Sequence, residues 1–497
     1  MSYAKTQREA LRQKGQFWTP DWLADAMVAY VLERDDQVLF DPAVGAGAFF
    51  LAAKRLALKN AWSVRFAGKE IDSYTLAEAR RSGLTEAELA TVSIGDFLSE
   101  PPEQQFEAII ANPPYIRHHR LSAETKAHMR RLALEHLGFA LDGRLGLHNY
   151  FLLVALRLLA PDGKLAFVMP ADTCEGLSAK RFWTWITTHY CLEAVIAFHH
   201  SISPFPTVDI NPLIFLIRNS APQKNFWWAY CIAQPENLPT WIASRFEKSV
   251  NGLNLHQRAV AEAVETGLSR STTQRSHPDS VPFSHFFTVK RGIATGANDF
   301  FFLTHEQVRQ LELPESFFKL AIGRTRDVVG NVLDEQAIAA LRARKRPSLL
   351  LQLDGSPLES FPEALQRYLK LGEALQIHRR PLLAQRSPWY KMEVRQPPPF
   401  LFAYLGRRNT RFILNSAQAV PLSSFLCVYP RPEFEQAIAQ LWLLLQRSEL
   451  LEGLASVGKS YGSGAIKVEP RALALLRIPA KLVEALELST ARQMSLF

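Results

Sequence analysis

At 497 residues and 47% hydrophobic content, the chain has material for two or three ordinary globular domains with sizeable cores. No unbroken apolar stretch could cross a bilayer, "MSYAKTQREALRQKG" lacks the apolar region of a leader, and Cys174, Cys191, Cys231 and Cys427 form no CxxC pair, so no membrane span, disulfide framework or zinc site is expected, and the expected compartment is a reducing cytoplasm. The formal net charge of +9 is uneven: residues 1–220 hold 23 Lys and Arg against 24 Asp and Glu, residues 221–497 hold 34 against 24.

The predicted elements begin with a polar N-terminal helix, then "GQFWTP" (15–20) and the amphipathic "DWLADAMVAYVL" (21–32). "QVLFDPAVGAGAFFLAAKRLAL" reads as a strand at Val38–Phe40, a glycine-containing turn at Asp41–Gly47 and a helix at Ala48–Leu58. "VRFAGKEID" (64–72) is a second strand ending in acids, "TLAEARRSG" a short helix that Gly83 can stop, "ATVSIGDFL" a third strand and "FEAIIANPPY" a fourth. "HNYFLLVALRLLAPDGKLAFVMP" reads as an apolar helix, a Pro-Asp-Gly turn and a fifth strand, and "LEAVIAF" and "INPLIFLIR" follow as strands. Strands alternating with helices indicate an α/β, doubly wound, Rossmann-like domain over residues 1–245 with a largely parallel sheet. Residues 246–284 are expected to be a linker, most clearly the polar "ETGLSRSTTQRSHPDSVPFS", and residues 285–497 a second domain of mixed α and β.

In such a sheet ligands bind beyond the carboxyl ends of the strands. Asp41, Glu70 and Asp96 end the first three strands, and Pro42, Gly45 and the turn around them follow Asp41. Glycines let the backbone approach a ligand closely. Glu70 is placed to grip ribose hydroxyls, and Asp96, with Phe97 alongside the ring, to accept from an adenine amino group. "DPAVGAG" is neither GxGxxG nor a phosphate loop with Gly-Lys-Ser/Thr. An acid leading the turn disfavours a pyrophosphate and favours a cofactor carrying an ammonium and a sulfonium, which is S-adenosylmethionine.

"ANPPYIR" (111–117) raises a second question. Two prolines can neither continue a helix nor donate a backbone hydrogen bond, and each extends the residue before it. The chain therefore leaves the fourth strand rigid, presenting Asn112 and Tyr115. If the methyl acceptor is an exocyclic amine such as N6 of adenine, its lone pair is delocalised and it is a poor nucleophile. The Asn112 side-chain oxygen and the Pro113 carbonyl, with Pro114 stiffening the turn, can accept from its hydrogens and draw it toward a tetrahedral geometry. Tyr115 would stack on the base. That base must be flipped out of a duplex, and Phe205 is the candidate for its other face.

These motifs in this order resemble the N6-adenine DNA methyltransferases of γ motif order, TaqI-like: "GQFWTP", "DPAVGAGAFF", "KEID", "GDFL", "NPPY" and "FPTVDINPLIFLI". The resemblance implies Thr19 and Asp41 near the methionine end of the cofactor, Glu70 on its ribose, Asp96 and Phe97 on its adenine, and Phe205 stacked on the target base. It also implies a target recognition domain over residues 285–497, where "VKRGIATGANDFFFL" and "PFLFAYLGRRNTRFILN" resemble those of restriction–modification methylases. Lys290, Arg291, Arg407 and Arg408 are the candidate DNA contacts there. The expected partners are double-stranded DNA and a separate restriction endonuclease, and the expected state is a monomer. No nuclease of its own is expected, since 14 residues precede "GQFWTP" and no later stretch supplies a D…ExK cluster. N4-cytosine, RNA or protein-glutamine methylation, and a non-catalytic DNA-binding subunit, stay open as alternatives.

Overall fold

The structure, a computed structural model, describes residues 18–116, 121–141, 145–174, 177–206, 210–270, 279–404, 410–457, 459–461 and 465–488. Its contacts divide the chain into two compact units, Met1–Thr273 with Ser460–Gly464, and Gln274–Lys459 with Ala465–Phe497. Among the described residues no helix is long and apolar enough to cross a membrane.

The first unit is built on nine strands: β1 (Gln37–Asp41), β2 (Val64–Glu70), β3 (Val92–Ile94), β4 (Phe106–Ala111), β5 (Leu159–Pro170), β6 (Cys191–Phe198), β7 (Pro212–Arg218), β8 (Asn225–Cys231) and β9 (Leu253–Ala259). Their order is β3-β2-β1-β4-β5-β7-β6-β8-β9, with β7 and β9 antiparallel to their neighbours. Alternation sends Leu39, Ala108, Ile110 and Val168 into one apolar cluster and Phe40, Ile109, Ala111 and Phe167 into the other. Both faces of the sheet are thus buried, which is why these strands read as continuous apolar runs. Helix α1 (Asp21–Val31) packs on helix α2 (Ala48–Asn60) and on β5 through Leu23, Ala24, Met27, Val28 and Val31, the stripe a 3.6-residue period places together.

The structure departs from the sequence reading in three places. The fifth strand begins at Leu159, ahead of Pro161-Asp162-Gly163, and that triplet is accommodated where the register with β4 shifts. β8, which carries Trp227 and Trp228, extends the sheet. β9 and a helix at Val260–Thr266 fall within the expected linker 246–284, which is therefore part of the first unit up to its polar stretch. β9 escaped notice because "LNLHQRA" has few apolar residues, as an edge strand can.

The second unit is mixed α and β, as expected. One sheet orders Phe287–Arg291, Leu426–Pro430, Phe400–Ala403, Arg411–Asn415 and Val332–Leu333; another orders Phe302–Leu303, Leu349–Leu351, Phe318–Ile322 and Val420–Pro421.

Candidate active site

Phe40 pairs with Ile109, so Asp41 and Asn112 leave adjacent parallel strands where the strand order reverses. Asp41 is fully buried; its Oδ1 accepts from the Ala43 N–H at 2.9 Å, and its Oδ2 is buried without a hydrogen-bond partner. Burial pushes this carboxyl up to about 8, and the neighbouring Glu70 pushes the same way. Pro42 is buried behind it. The turn then takes two left-handed residues, Gly45 (φ 54°) and Gly47 (φ 77°). At Gly47 the left-handed φ would strain a residue with a Cβ, and that Cβ would lie 2.3 Å from Leu84 Cδ1, which would have to move. Glu70 is 5% exposed, and its carboxylate is fixed by the N–H groups of Gly45 (2.7 Å) and Asp72 (2.9 Å).

Asp96 is half-buried and closes its own turn, accepting from the Leu98 N–H at 3.1 Å and the Ser99 hydroxyl at 2.7 Å. Phe97 does not line an open surface. It is buried with its ring centroid 5.2 Å from that of Phe151 and 6.0 Å from that of Phe40.

The Asn-Pro-Pro-Tyr loop is held by side chains. The Asn112 amide nitrogen donates to Thr19 Oγ1 at 3.1 Å, and its Oδ1 accepts from the Tyr115 hydroxyl at 2.7 Å. That hydroxyl also lies 3.1 Å from the Val168 carbonyl on β5. Pro113 is buried, while Asn112, Pro114 and Tyr115 are half-buried. Thr19 is thus brought to Asn112. Phe205 is 4% exposed within an apolar cluster of the sheet, so here it is a core aromatic and not an open stacking platform.

Residues 2–230 match the family model described as N-6 DNA Methylase, and residues 265–495 match the Type II methyltransferase M.Eco57I, C-terminal domain. The N-terminal part of the chain is thus similar to the N-6 DNA methylases, and the C-terminal part to a Type II methyltransferase C-terminal domain. Among its relatives, Type II methyltransferase M.AccI of Acinetobacter calcoaceticus is 23% identical over 95% of this chain and 86% of that one. Type II methyltransferase M.XamI of Xanthomonas campestris pv. amaranthicola is 24% identical over 94% and 85%. The Type IIL restriction-modification enzyme MmeI, solved in complex with DNA, is similar in fold, with a TM-score of 0.51 at 13% identity. The match covers 97% of this chain but 65% of MmeI, so this methylase spans less than two thirds of that structure.

The sequence reading of the methylase missed two residues beside the site. Ile71 follows Glu70 and is 69% exposed, an apolar surface at the β2 end; the signal was an isoleucine between two acids. His148 stands edge-on to the Tyr115 ring, centroids 5.6 Å apart at 90°, at the start of helix α3 (Leu147–Arg157). It is buried with Nδ1 unpartnered, and burial pushes it down to about 4, so it is neutral. A polar residue opening an otherwise apolar helix was its signal.

In the second unit Lys290 and Arg291 are exposed on their strand. Lys290 Nζ sits 5.8 Å from the Tyr429 ring centroid, and Arg291 pairs with Glu469 at 3.7 Å. Arg407 and Arg408 lie outside the described residues.

Proposed function

We propose that this methylase transfers a methyl group from S-adenosylmethionine to N6 of an adenine flipped out of double-stranded DNA at a defined sequence. In this reading it is the modification component of a restriction–modification or phage-defence system, a cytoplasmic monomer working beside a separate restriction endonuclease. The observation that carries the proposal is the Asn112 amide, held between the Thr19 and Tyr115 hydroxyls at the strand end next to Asp41. The orphaned Oδ2 of Asp41 fits a cationic ligand, because a buried carboxylate without a partner gains most from a positive charge.

When bound, S-adenosylmethionine supplies a methyl group already activated by its sulfonium charge. The residues present would hold it through Asp41 and Thr19 at the methionine end, Glu70 at the ribose, and Asp96 with Phe97 toward the adenine. No strong base is needed before attack. Asn112 Oδ1 and the Pro113 carbonyl accept from the target amine, and their preorganised dipoles favour the charge that develops on nitrogen. Tyr115 supplies the ring on which the base stacks, with Phe205 proposed for the opposite face once it leaves its packing. Residues 285–497 are proposed as the target recognition domain, contacting duplex through Lys290, Arg291, Arg407 and Arg408.

Incubation with tritiated S-adenosylmethionine and genomic DNA lacking adenine methylation is expected to label N6-methyladenine. Label found only in N4-methylcytosine, RNA or protein would overturn the proposal.

A further inference from the structure

At the amino end of the same sheet, opposite the strand ends that carry Asp41 and Asn112, lies a cavity of about 650 Å³. Its walls come from the last turns of α1 and α2, the strands β5 to β9, and the turn after a short helix at Leu238–Ala243. The volume is that of a small-molecule site.

Its charges are not mutually satisfied. The lining carboxylates have partners: Glu33 pairs with Lys164 at 2.7 Å, and Glu193 accepts from the Tyr30 hydroxyl at 2.7 Å. The two lining arginines are left over. Arg218 reaches Asp162 at 3.3 Å through one nitrogen, while its Nε is buried without a partner. Arg245 has no side-chain hydrogen bond or ion pair among the described residues. It sits in the turn that ends the Leu238–Ala243 helix. Arg245 (φ 57°) and Phe246 (φ 69°) are consecutive left-handed residues, neither of them glycine. The pair closes the helix end, with the Arg245 N–H donating to the Ile242 carbonyl and the Phe246 N–H to the Trp241 carbonyl, and this fixes where the Arg245 side chain leaves the backbone. Three half-buried rings, Trp62, Trp227 and Phe246, line the same space.

We infer that this cavity is a second ligand site, distinct from the methyl-transfer site, for a planar ring bearing a phosphate-class anion. The anion bridges Arg218 and Arg245, and the ring lies against the aromatic side chains. The Arg218 Nε is closed off from solvent, so the open donors are those of the exposed Arg245 guanidinium and the remaining N–H groups of Arg218, and such a fork is suited to an oxyanion in bidentate geometry. The inference is independent of the methyl acceptor.

Calorimetry of the full chain tests it, with adenosine 5′-monophosphate, adenosine and inorganic phosphate as separate probes. Each titration is run with and without saturating S-adenosylhomocysteine, which blocks the methyl-transfer site. The monophosphate is expected to bind one equivalent in both conditions, and each half-ligand at least about tenfold more weakly. Arg245→Gln and Arg218→Gln are each expected to weaken it by about tenfold or more, with melting temperature and S-adenosylhomocysteine affinity unchanged. Arg245 is exposed, so its variant keeps the test readable if Arg218→Gln fails to fold. No binding under S-adenosylhomocysteine saturation, equal affinity for phosphate alone, or binding indifferent to Arg245→Gln would each overturn the inference.

Discussion

Glu70 is fixed by two backbone N–H groups, those of Gly45 and Asp72, whereas Asn112 is fixed by two side-chain hydroxyls, those of Thr19 and Tyr115. Both stand at strand ends of one sheet, on either side of β1. The backbone donors come with the turn and cannot rotate away, so the acid row is set before any ligand arrives. The hydroxyls can turn, so under the proposed function the Asn112 amide would have partners to exchange for a target amine. In the proposed reaction, the half shaped by main chain would hold the cofactor and the half shaped by side chains would receive the target amine.

The sharpest break of this comparison is Asn112→Ala. Methyl transfer in a single turnover is expected to fall by about 10²–10³, while cofactor affinity is retained, because the lost acceptor acts as the amine changes geometry. Near-normal turnover would remove Asn112 from the chemistry.

Asp41 probes the acid row. Its carboxyl sits at about 8 in the folded chain against 3.8 unperturbed, so the folded state holds the proton more tightly than the unfolded state. Its contribution to stability is therefore present below the unfolded value and lost as pH rises through about 8. A cationic ligand requires the ionised form. Cofactor affinity is expected to rise with pH, by up to about tenfold per unit, until that value is reached. Asp41→Asn should flatten the profile and weaken binding; titrations from pH 6 to 9 decide it, and a flat wild-type profile would count against the role.

Tyr115 separates ring from hydroxyl. Tyr115→Phe keeps the stacking surface but frees Asn112 Oδ1 of its donor. A loss of about tenfold in kcat is expected, the range of one hydrogen bond, with KM for DNA little changed. Tyr115→Ala should raise KM as well. If Tyr115→Phe equals wild type, the hydroxyl does not orient the amide. The smallest effects lie in the second unit, where Lys290→Ala is expected to lower the salt slope of DNA binding by about one unit. Arg291, paired with Glu469, should change it less. An unchanged slope in both would move the DNA surface elsewhere.

The acids and the Asn-Pro-Pro-Tyr loop were legible because they end apolar β runs, and position relative to a strand end is what sequence reports well. Thr19 was read toward the cofactor alone, since its bond to Asn112 joins residues 93 apart in sequence. The sequence places Phe97 beside the cofactor adenine and Phe205 on the target base, yet both rings are buried; an aromatic residue looks the same in sequence whether a ligand or a core covers it. His148 was missed because only the fold sets it against Tyr115.

β9 has a practical consequence. Arg258, 1% exposed, ties this strand to the helix at Val260–Thr266 and the turn beyond it, through Glu262, Thr266 and the Gly267 carbonyl. Ending a fragment at residue 245, where composition suggests the first domain stops, would strip the cover from β8 and leave its backbone groups open to pairing with another chain. Such a fragment should aggregate, whereas one ending after residue 270 keeps its own last strand as a guard.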